Sequence, residues 1–488
     1  MGRERISGNL SGEIMSTPVR TFFEKVSRSL PEIKKPGRKV SLGEKLMWTA
    51  LALVIYLWMG DTILYGIPST AVVGQTPLLL NIIFAANQGT LTTLGIGPIV
   101  TAGLILQLLV GAEIIKLDLS KPEDRGLFTS ASKMLAIVVT VFEAVAFTFG
   151  GFFGPLNQNQ ALLVLVQLVA ATVVIIMLDE MVQKGWGLGS GISLFIAAGV
   201  AQQIFLSLFS PITLDDGFFQ GIILALAQGF AVGNLTPLII RGFFPDVVGL
   251  VATVTLILIL IYLESVRIEI PISYARFSGY RAKYPIKLLY VSNIPIIFAS
   301  TIFSNIYYIG SIIWSRFNPN NDNLLLNLIG TFQLPEGGGQ PIPTGGLAYY
   351  TLGPRNLIDV SADPVRAVLY ALLLTVFAVL FAKFWVQIGG LSPEKVAKQL
   401  INAGMQIPGF RRSPTVIANV IRKYISAVTI LGGIIIGLVG SVADYFNVFG
   451  SGIGILLMVG ILYQYYQLLV RERVSEMYPA LGRLLGEE

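Results

Sequence analysis

Ten long apolar stretches, separated by polar segments, constrain this chain more than any other feature of its sequence. A helix needs about 20 predominantly apolar residues to cross a bilayer. Only 13% of the residues are charged, whereas soluble domains carry about 25%. The sequence therefore predicts an all-α polytopic membrane protein with ten transmembrane helices. Their expected limits are 45–65, 92–111, 128–150, 160–179, 190–209, 246–264, 288–314, 365–387, 424–446 and 450–470.

The distribution of positive charge predicts the orientation. With a cytosolic N-terminus, thirty of the 34 Lys and Arg residues fall on the cytosolic side, as the positive-inside rule requires. We expect a cell-membrane protein with both termini in the cytosol. The predicted organisation is a cytosolic segment (1–44), an N-terminal half (45–209), an external segment (210–245), a C-terminal half (246–470) and a cytosolic tail (471–488).

Three further segments are predicted to lie in or on the membrane without crossing it. Thr17–Leu30 has the pattern of an amphipathic surface helix, although a helix docked on protein fits equally well. Pro77–Leu91 is uncharged but too short and too polar to span, and is predicted to be a half-helix. Phe218–Ile240 is interrupted by Asn234 and Pro237, and is predicted to be re-entrant or external.

The stretch Leu94–Gly103, LGIGPIVTAG, places glycine and proline where an apolar segment begins. Such breaks are tolerated in a membrane only where the backbone faces protein or water. A half-helix, a break and a full span together favour a chain that lines a cavity. A kink used only for helix packing is equally compatible with the spacing.

The residue inventory argues against an enzyme. The chain has no histidine and no cysteine, and no Gly-Lys pair that could belong to a Walker A loop. No nucleophile–base pair stands in a recognisable setting. We predict no catalytic residues, no metal site and no cofactor.

Several long motifs resemble one family. LGIGPIVTAG, DEMVQKGWGLGSGISLFIAAGV (179–200), YPIKLLYVSNIPIIFA (284–299) and RERVSEMYPAL (471–481) are similar to SecY, the pore subunit of the protein-conducting channel, in its archaeal form. The resemblance implies two pseudosymmetric halves of inverted topology, a repeat that is not evident in the sequence itself. It also implies a SecE-type subunit, a second small subunit, and secretory polypeptides with their signal sequences as substrates.

The resemblance also implies a plug below a ring of pore residues. Ile96 and Val100 are four residues apart, as are Ile192 and Ile196, so each pair lies on one helix face. Spacing alone favours ordinary packing. The implied ring is Ile96, Val100, Ile192, Ile196, Ile297 and Leu457. The implied plug comprises Leu78, Leu79, Leu80, Asn81, Ile82, Ile83, Phe84, Ala85, Ala86 and Asn87.

Glu143 is the one carboxylate well inside a predicted span. Intramembrane carboxylates are costly and therefore suggest function. The resemblance places Thr101, Glu143 and Asn305 in a polar cluster at a lateral gate, where transmembrane segments would leave for lipid. A protonated Glu143 bonded to a backbone carbonyl would be the simpler explanation.

Two long cytosolic loops, 267–287 and 383–423, carry five and seven positive charges. Charge of this kind can serve orientation near anionic lipid or bind an anionic partner. The resemblance favours ribosome docking, with Arg276, Arg411 and Arg412 at the loop tips. The ribosome would then drive translocation. The alternatives are a secondary transporter with a broken-helix substrate site, which should have paired ionisable residues at mid-membrane, and a structural scaffold.

Overall fold

The computed structural model describes residues 32–67, 85–112, 114–115, 117, 122–150, 152–154, 156–214, 216–242, 244–274, 281–289, 293–334, 341–389, 392–408 and 413–477. The predicted amphipathic helix Thr17–Leu30 lies outside these residues. Within them, nine helices are long and apolar enough to cross a membrane. The membrane helices, counting the shorter second one, are α1 (Leu42–Asp61), α2 (Gly97–Gly111), α3 (Pro122–Phe149), α4 (Gln158–Gln183), α5 (Gly191–Phe209), α8 (Val247–Ser265), α9 (Asn293–Phe317), α13 (Pro364–Ile388), α15 (Pro414–Tyr445) and α16 (Gly452–Met477).

These helices match the ten predicted stretches, so the mostly helical membrane fold is confirmed. Two of the differences at helix starts have a clear cause. The second stretch becomes helical only at Gly97, and its 15 residues rise about 22 Å, less than the roughly 30 Å of hydrocarbon. The ninth begins at Pro414 instead of 424, because a helix can continue beyond the bilayer where hydropathy gives no signal.

Side-chain caps define several helix starts. The Ser41 hydroxyl accepts from the Glu44 amide at the start of α1, and Asp246 accepts from the Gly249 amide (2.6 Å) at the start of α8. Proline occupies the first turn of α2, α13 and α15, where its missing N–H costs no helical hydrogen bond.

A three-stranded antiparallel sheet lies at one end of the bundle and was not predicted. Its order is β2 (Arg281–Lys287), β1 (Arg267–Tyr274) and β5 (Met405–Gln406). Ile270 and Ile286 pack with residues of α14 (Pro393–Asn402) and α15 in a separate apolar cluster. We call this the sheet end, and its counterpart the opposite end.

Short elements cover the opposite end. They are α6 (Ile222–Val232), α7 (Thr236–Ile239), α10 (Leu324–Ile329), β3 (Thr331–Gln333), β4 (Ile342–Gly345), α11 (Gly346–Thr351) and α12 (Leu357–Ala362). The 11 residues of α6 are too few to span. Its apolar face packs with Leu238 and Phe449, so the segment 218–240 forms two short helices against the bundle.

The main core runs through the middle of the bundle. It includes residues of α1, α2, α4, α5, α9, α13 and α16, together with Ala85 and Ala86. Apolar side chains on the outer faces stay exposed, such as Leu258 of α8 and Leu462 of α16. This distribution is typical of a bundle surrounded by lipid.

Candidate functional site

The break before α2 has the geometry that its glycine and proline indicate. Thr90, Thr92 and Thr93 are buried, and their hydroxyls bond to one another and to local carbonyls. The helix then starts at Gly97, with the Val100 amide donating to the Ile96 carbonyl (3.0 Å). Hydroxyl and backbone groups of the break thus bond to one another inside the protein.

The six ring candidates lie on or next to four helices. Ile96 immediately precedes α2 and Val100 is in its first turn; Ile192 and Ile196 are at the start of α5; Ile297 is on α9 and Leu457 on α16. Ile96, Val100, Ile196 and Leu457 are buried, whereas Ile192 and Ile297 are partly buried.

All six belong to the main core or pack against it. Their helices contact one another in series: α2 contacts α9, α9 contacts α16, and α16 contacts α5. The ring assignment itself remains a prediction, since it depends on where these side chains meet.

Only the last part of the predicted plug lies within the described residues; Leu78–Phe84 do not. Ala85 and Ala86 are buried in the main core. The Asn87 side-chain amide donates to the Gly60 carbonyl of α1 (3.2 Å), and the Asn87 backbone N–H donates to the Thr92 hydroxyl (3.3 Å). Ala85 packs against Gly199 of α5. This segment therefore bridges the break before α2 to both α1 and α5.

The three gate candidates lie on adjacent helices. Thr101 is on α2, which contacts both α3 with Glu143 and α9 with Asn305. The Thr101 hydroxyl is buried and bonds to no residue that the structure describes. Glu143 and Asn305 are partly buried. The predicted hydrogen bonds within this cluster remain a prediction.

Tyr308 joins the seam between α3 and α9, and the sequence analysis missed it. Its ring lies 4.8 Å from that of Phe147 on α3 and 6.0 Å from that of Phe152. Its hydroxyl accepts from the Gln88 side chain (3.4 Å), next to the predicted plug. The sequence feature that could have indicated Tyr308 is its place in a tyrosine pair inside an apolar span. A buried tyrosine hydroxyl needs a hydrogen-bond partner, so such a pair suggests a polar contact.

The seam is also closed by polar contacts at the opposite end. The Ser315 hydroxyl of α9 donates to the Gly150 carbonyl after α3 (2.8 Å). The Arg316 guanidinium donates to the Phe149 carbonyl. Side chains of α9 thus satisfy the carbonyls left free where α3 ends.

The predicted docking residues Arg276, Arg411 and Arg412 lie outside the described residues, but the strands beside them do not. Segment 275–280 joins β1 to β2, and segment 409–412 follows β5 closely. Ser273 pairs with Gln406, and Tyr274 with Met405. The two basic loops therefore start from one sheet, a proximity that the sequence analysis did not predict.

Comparisons with known proteins all point to one family. The family model described as SecY matches residues 90–466. The protein translocase subunit SecY of Pyrococcus furiosus is 41% identical over 480 residues, which cover 96% of this chain and 99% of that protein. The protein transport protein Sec61 subunit alpha of Dictyostelium discoideum is 39% identical over 467 residues, covering 93% and 97%.

Solved structures give the same result. One described as the structure of a protein conducting channel superposes with a TM-score of 0.79 at 36% identity, covering 93% of this chain and 98% of the other. Sec61 in the canine ribosome–channel complex from the endoplasmic reticulum superposes with a TM-score of 0.76 at 35% identity, with the same coverage. The break before α2, the buried aliphatics beside it and these full-length similarities agree: the chain belongs to the SecY family of protein-conducting channels.

Proposed function

We propose that this protein moves secretory polypeptides through a pore between its two halves and releases transmembrane segments sideways into lipid. The observation that carries the proposal is the burial of aliphatic side chains beside the backbone break, on helices that contact in series. A hydrophobic constriction rejects ions by dewetting. Aliphatic side chains also bind no substrate group strongly, so chemically diverse polypeptides can pass.

The proposed exit is the seam between α3 and α9, beside Thr101, Glu143 and Asn305. It is held by side-chain contacts such as that of Tyr308 with Phe147, and no disulfide can close it because the chain has no cysteine. Such contacts contribute about 1 kcal/mol each. The closed seam can therefore open when an apolar signal helix offers replacement contacts.

The proposed driving partner is a ribosome docked at the sheet end, which we assign to the cytosol. Both predicted arginine-bearing segments start from the sheet, so their positive charges can act on one anionic surface. A related channel with 35% identity is known in a ribosome complex. We also expect a SecE-type subunit and a second small subunit, on the strength of the family resemblance.

The remaining assignments concern location and competing functions. We propose that the chain lies in the cell membrane with both termini in the cytosol, because the basic segments then face inward. The relatives are translocation channels, a role that needs no catalysis. The secondary transporter predicted as an alternative is not supported, because the full-length relatives are translocase subunits.

Crosslinking to a polypeptide in transit tests the pore. Leu457→Cys should crosslink to a stalled nascent chain that carries a thiol-reactive probe, because Leu457 is buried at the proposed constriction. Leu462→Cys is the matched control: it lies on the same helix, but its side chain is 55% exposed on the outer surface. Equal crosslinking at both positions, or none at Leu457, would contradict the proposal.

A further inference from the structure

A short motif is repeated at the start of the last helix of each half. The sequence Gly-Ser-Gly-Ile occurs at residues 189–192 and again at 450–453. In both copies the helix begins at the third residue, Gly191 for α5 and Gly452 for α16. The first glycine is left-handed in both, with φ of +72° at Gly189 and +77° at Gly450. Such a backbone favours glycine over any other residue.

A buried aspartate accepts a hydrogen bond from each of these helix starts. The Ile192 amide donates to Oδ1 of Asp179, near the end of α4 (2.9 Å). The Gly452 amide donates to Oδ1 of Asp444, near the end of α15 (2.7 Å). The first amides of a helix lack partners within it and form its positive end, so a carboxylate there is favourable.

The second oxygen of each aspartate is held as well. Gln183 donates to Oδ2 of Asp179 (2.7 Å), and the Tyr370 hydroxyl donates to Oδ2 of Asp444 (3.3 Å). Both aspartates are over 90% buried. Each carboxylate is thus held by a second hydrogen bond, so that it can fix the position of the helix that follows, α5 for Asp179 and α16 for Asp444.

The second glycine of each motif permits close contact with the preceding helix. A Cβ atom at Gly191 would lie 2.6 Å from the Cα of Asp179, and one at Gly452 would lie 2.5 Å from the Cβ of Ala443. Any side chain would push the two helices apart. The cap and the close contact together fix the height of each helix against its neighbour.

The two helices also contact each other reciprocally. The site of a Cβ at Gly189 is 3.0 Å from the ring of Tyr465, thirteen residues after Gly452. The site of a Cβ at Gly450 is 3.2 Å from Cγ1 of Val200 and 3.4 Å from Cγ1 of Ile204, the latter thirteen residues after Gly191. Matching contacts of this kind characterise a twofold interface. One motif faces the sheet end and the other the opposite end, as inverted halves require.

The same register places one ring candidate on each helix. Ile196 comes five residues after Gly191, and Leu457 five residues after Gly452. Both are fully buried. A slip of one residue would move each by about 1.5 Å along the helix axis and about 100° around it, and so out of a shared constriction.

We propose that Asp179 and Asp444 are the positioning residues of the seal: each sets the height and rotation of the helix that brings an aliphatic residue to the constriction. Neither side chain needs to contact the polypeptide. The inference rests on the proposed pore, and it explains why the same four residues occur at both helix starts.

Ion leak through the resting channel tests it in reconstituted full-length protein. Asp179→Ala and Asp444→Ala remove the acceptor, so each should raise resting conductance in planar bilayers, on the order of tenfold if the constriction becomes hydrated. Asp→Asn at either site keeps an Oδ1 acceptor of the same reach and should stay near wild type. If the alanine variants leaked only because the protein was damaged, the asparagine variants would not be expected to restore the seal.

Two control variants distinguish a shift in helix position from a nonspecific disruption of the protein. Thr172→Val removes a buried hydroxyl of α4 that, among the described residues, bonds within its own helix to the Leu168 carbonyl, and should not leak. Ile196→Gly opens the proposed ring directly and should leak. If the alanine variants do not fold, Asp444→Glu decides, because it keeps the carboxylate but moves it by one methylene and should leak.

The outcomes are distinct. A leak in Ile196→Gly without one in the aspartate variants would overturn the positioning role and leave the pore in place. No leak in any variant, Ile196→Gly included, would overturn the proposed pore itself. Equal leak in the alanine and asparagine variants would also overturn the positioning role, because the acceptor geometry would not matter.

Discussion

A disulfide between Ala85 and Gly199 should lock the channel closed. A Cβ at position 199 would lie 3.8 Å from the Ala85 Cβ, and about 3.8 Å is the mean Cβ separation in disulfides. Ala85 already has a positive φ of +46°, so cysteine adds no new backbone strain there. Apart from Ala85 and α5 itself, no atom of the described residues lies within 4 Å of a Cβ at 199. The pair should therefore oxidise readily in the resting protein.

The size of the effect follows from the dimensions of the substrate. A helical signal segment is about 10–12 Å across, whereas a disulfide keeps the two Cβ atoms within about 4.5 Å. The bonded segment cannot leave the pore far enough for such a segment to enter. Translocation into proteoliposomes should fall in proportion to the crosslinked fraction, to about a tenth when about 90% is oxidised.

The chain has no cysteine of its own, so only the two introduced cysteines can form a disulfide within it. The Ala85→Cys/Gly199→Cys protein would be compared before and after reduction, so that one sample serves as its own control, with each single variant beside it. Reduction should restore transport. Complete oxidation with unchanged transport would refute the reasoning, since the segment would then not need to move.

Three other changes test the seam and the docking loops. Tyr308→Phe keeps the ring contacts with Phe147 and Phe152 but deletes the hydroxyl that accepts from Gln88. A bond as long as 3.4 Å contributes about 0.5 kcal/mol, so single-channel open probability should rise about twofold. Tyr307→Phe, which loses a donor to the Pro341 carbonyl, should leave the open probability unchanged. A similar rise in the two variants would show that the bond between Tyr308 and Gln88 is not what holds the seam closed. Asn305→Leu should strengthen the closed seam through apolar packing and raise the signal hydrophobicity needed for insertion; identical thresholds across a graded signal series would exclude Asn305 from the gate. Arg411→Glu with Arg412→Glu should weaken ribosome co-sedimentation and flatten its salt dependence, and equal binding across a salt series would count against docking there.

The membrane helices were predictable because lipid leaves few alternatives. An apolar run of about 20 residues can satisfy its backbone in a bilayer only as a helix or in a closed barrel. The limits of α5 and α8 accordingly differ from the predicted ones by no more than one residue at either end. Hydropathy could not predict the first ten residues of α15, because polar residues interrupt their apolar ones; they are helical with Ile417, Ala418 and Ile421 buried against α14 and the sheet.

The sheet was missed although its signal was present. Ile268, Ile270 and Ile272 alternate with polar residues and proline, as a half-buried strand requires. Pro271 and Pro285 weaken that signal, because proline cannot donate to a ladder. β1 tolerates Pro271 because β5 pairs with it only at Ser273 and Tyr274, leaving its other edge free at Pro271.

The candidate site was less predictable than the helices. An aliphatic residue four positions from another indicates a helix face, but not which face meets the pore. Tyr308 illustrates the limit, since its partners Gln88 and Phe147 come from distant parts of the sequence. The two Gly-Ser-Gly-Ile motifs can be read in the sequence, but only the structure shows that each begins the last helix of a half.

The pairing of β1 with β5 has a mechanical consequence. β2 leads towards α9, a wall of the seam, and β5 leads towards α15. A load applied to either basic loop is shared between them through the strand pairs at Ser273 and Tyr274. We therefore expect a partner that binds either loop to act on α9 and α15 together, although the two helices lie about a hundred residues apart in the chain.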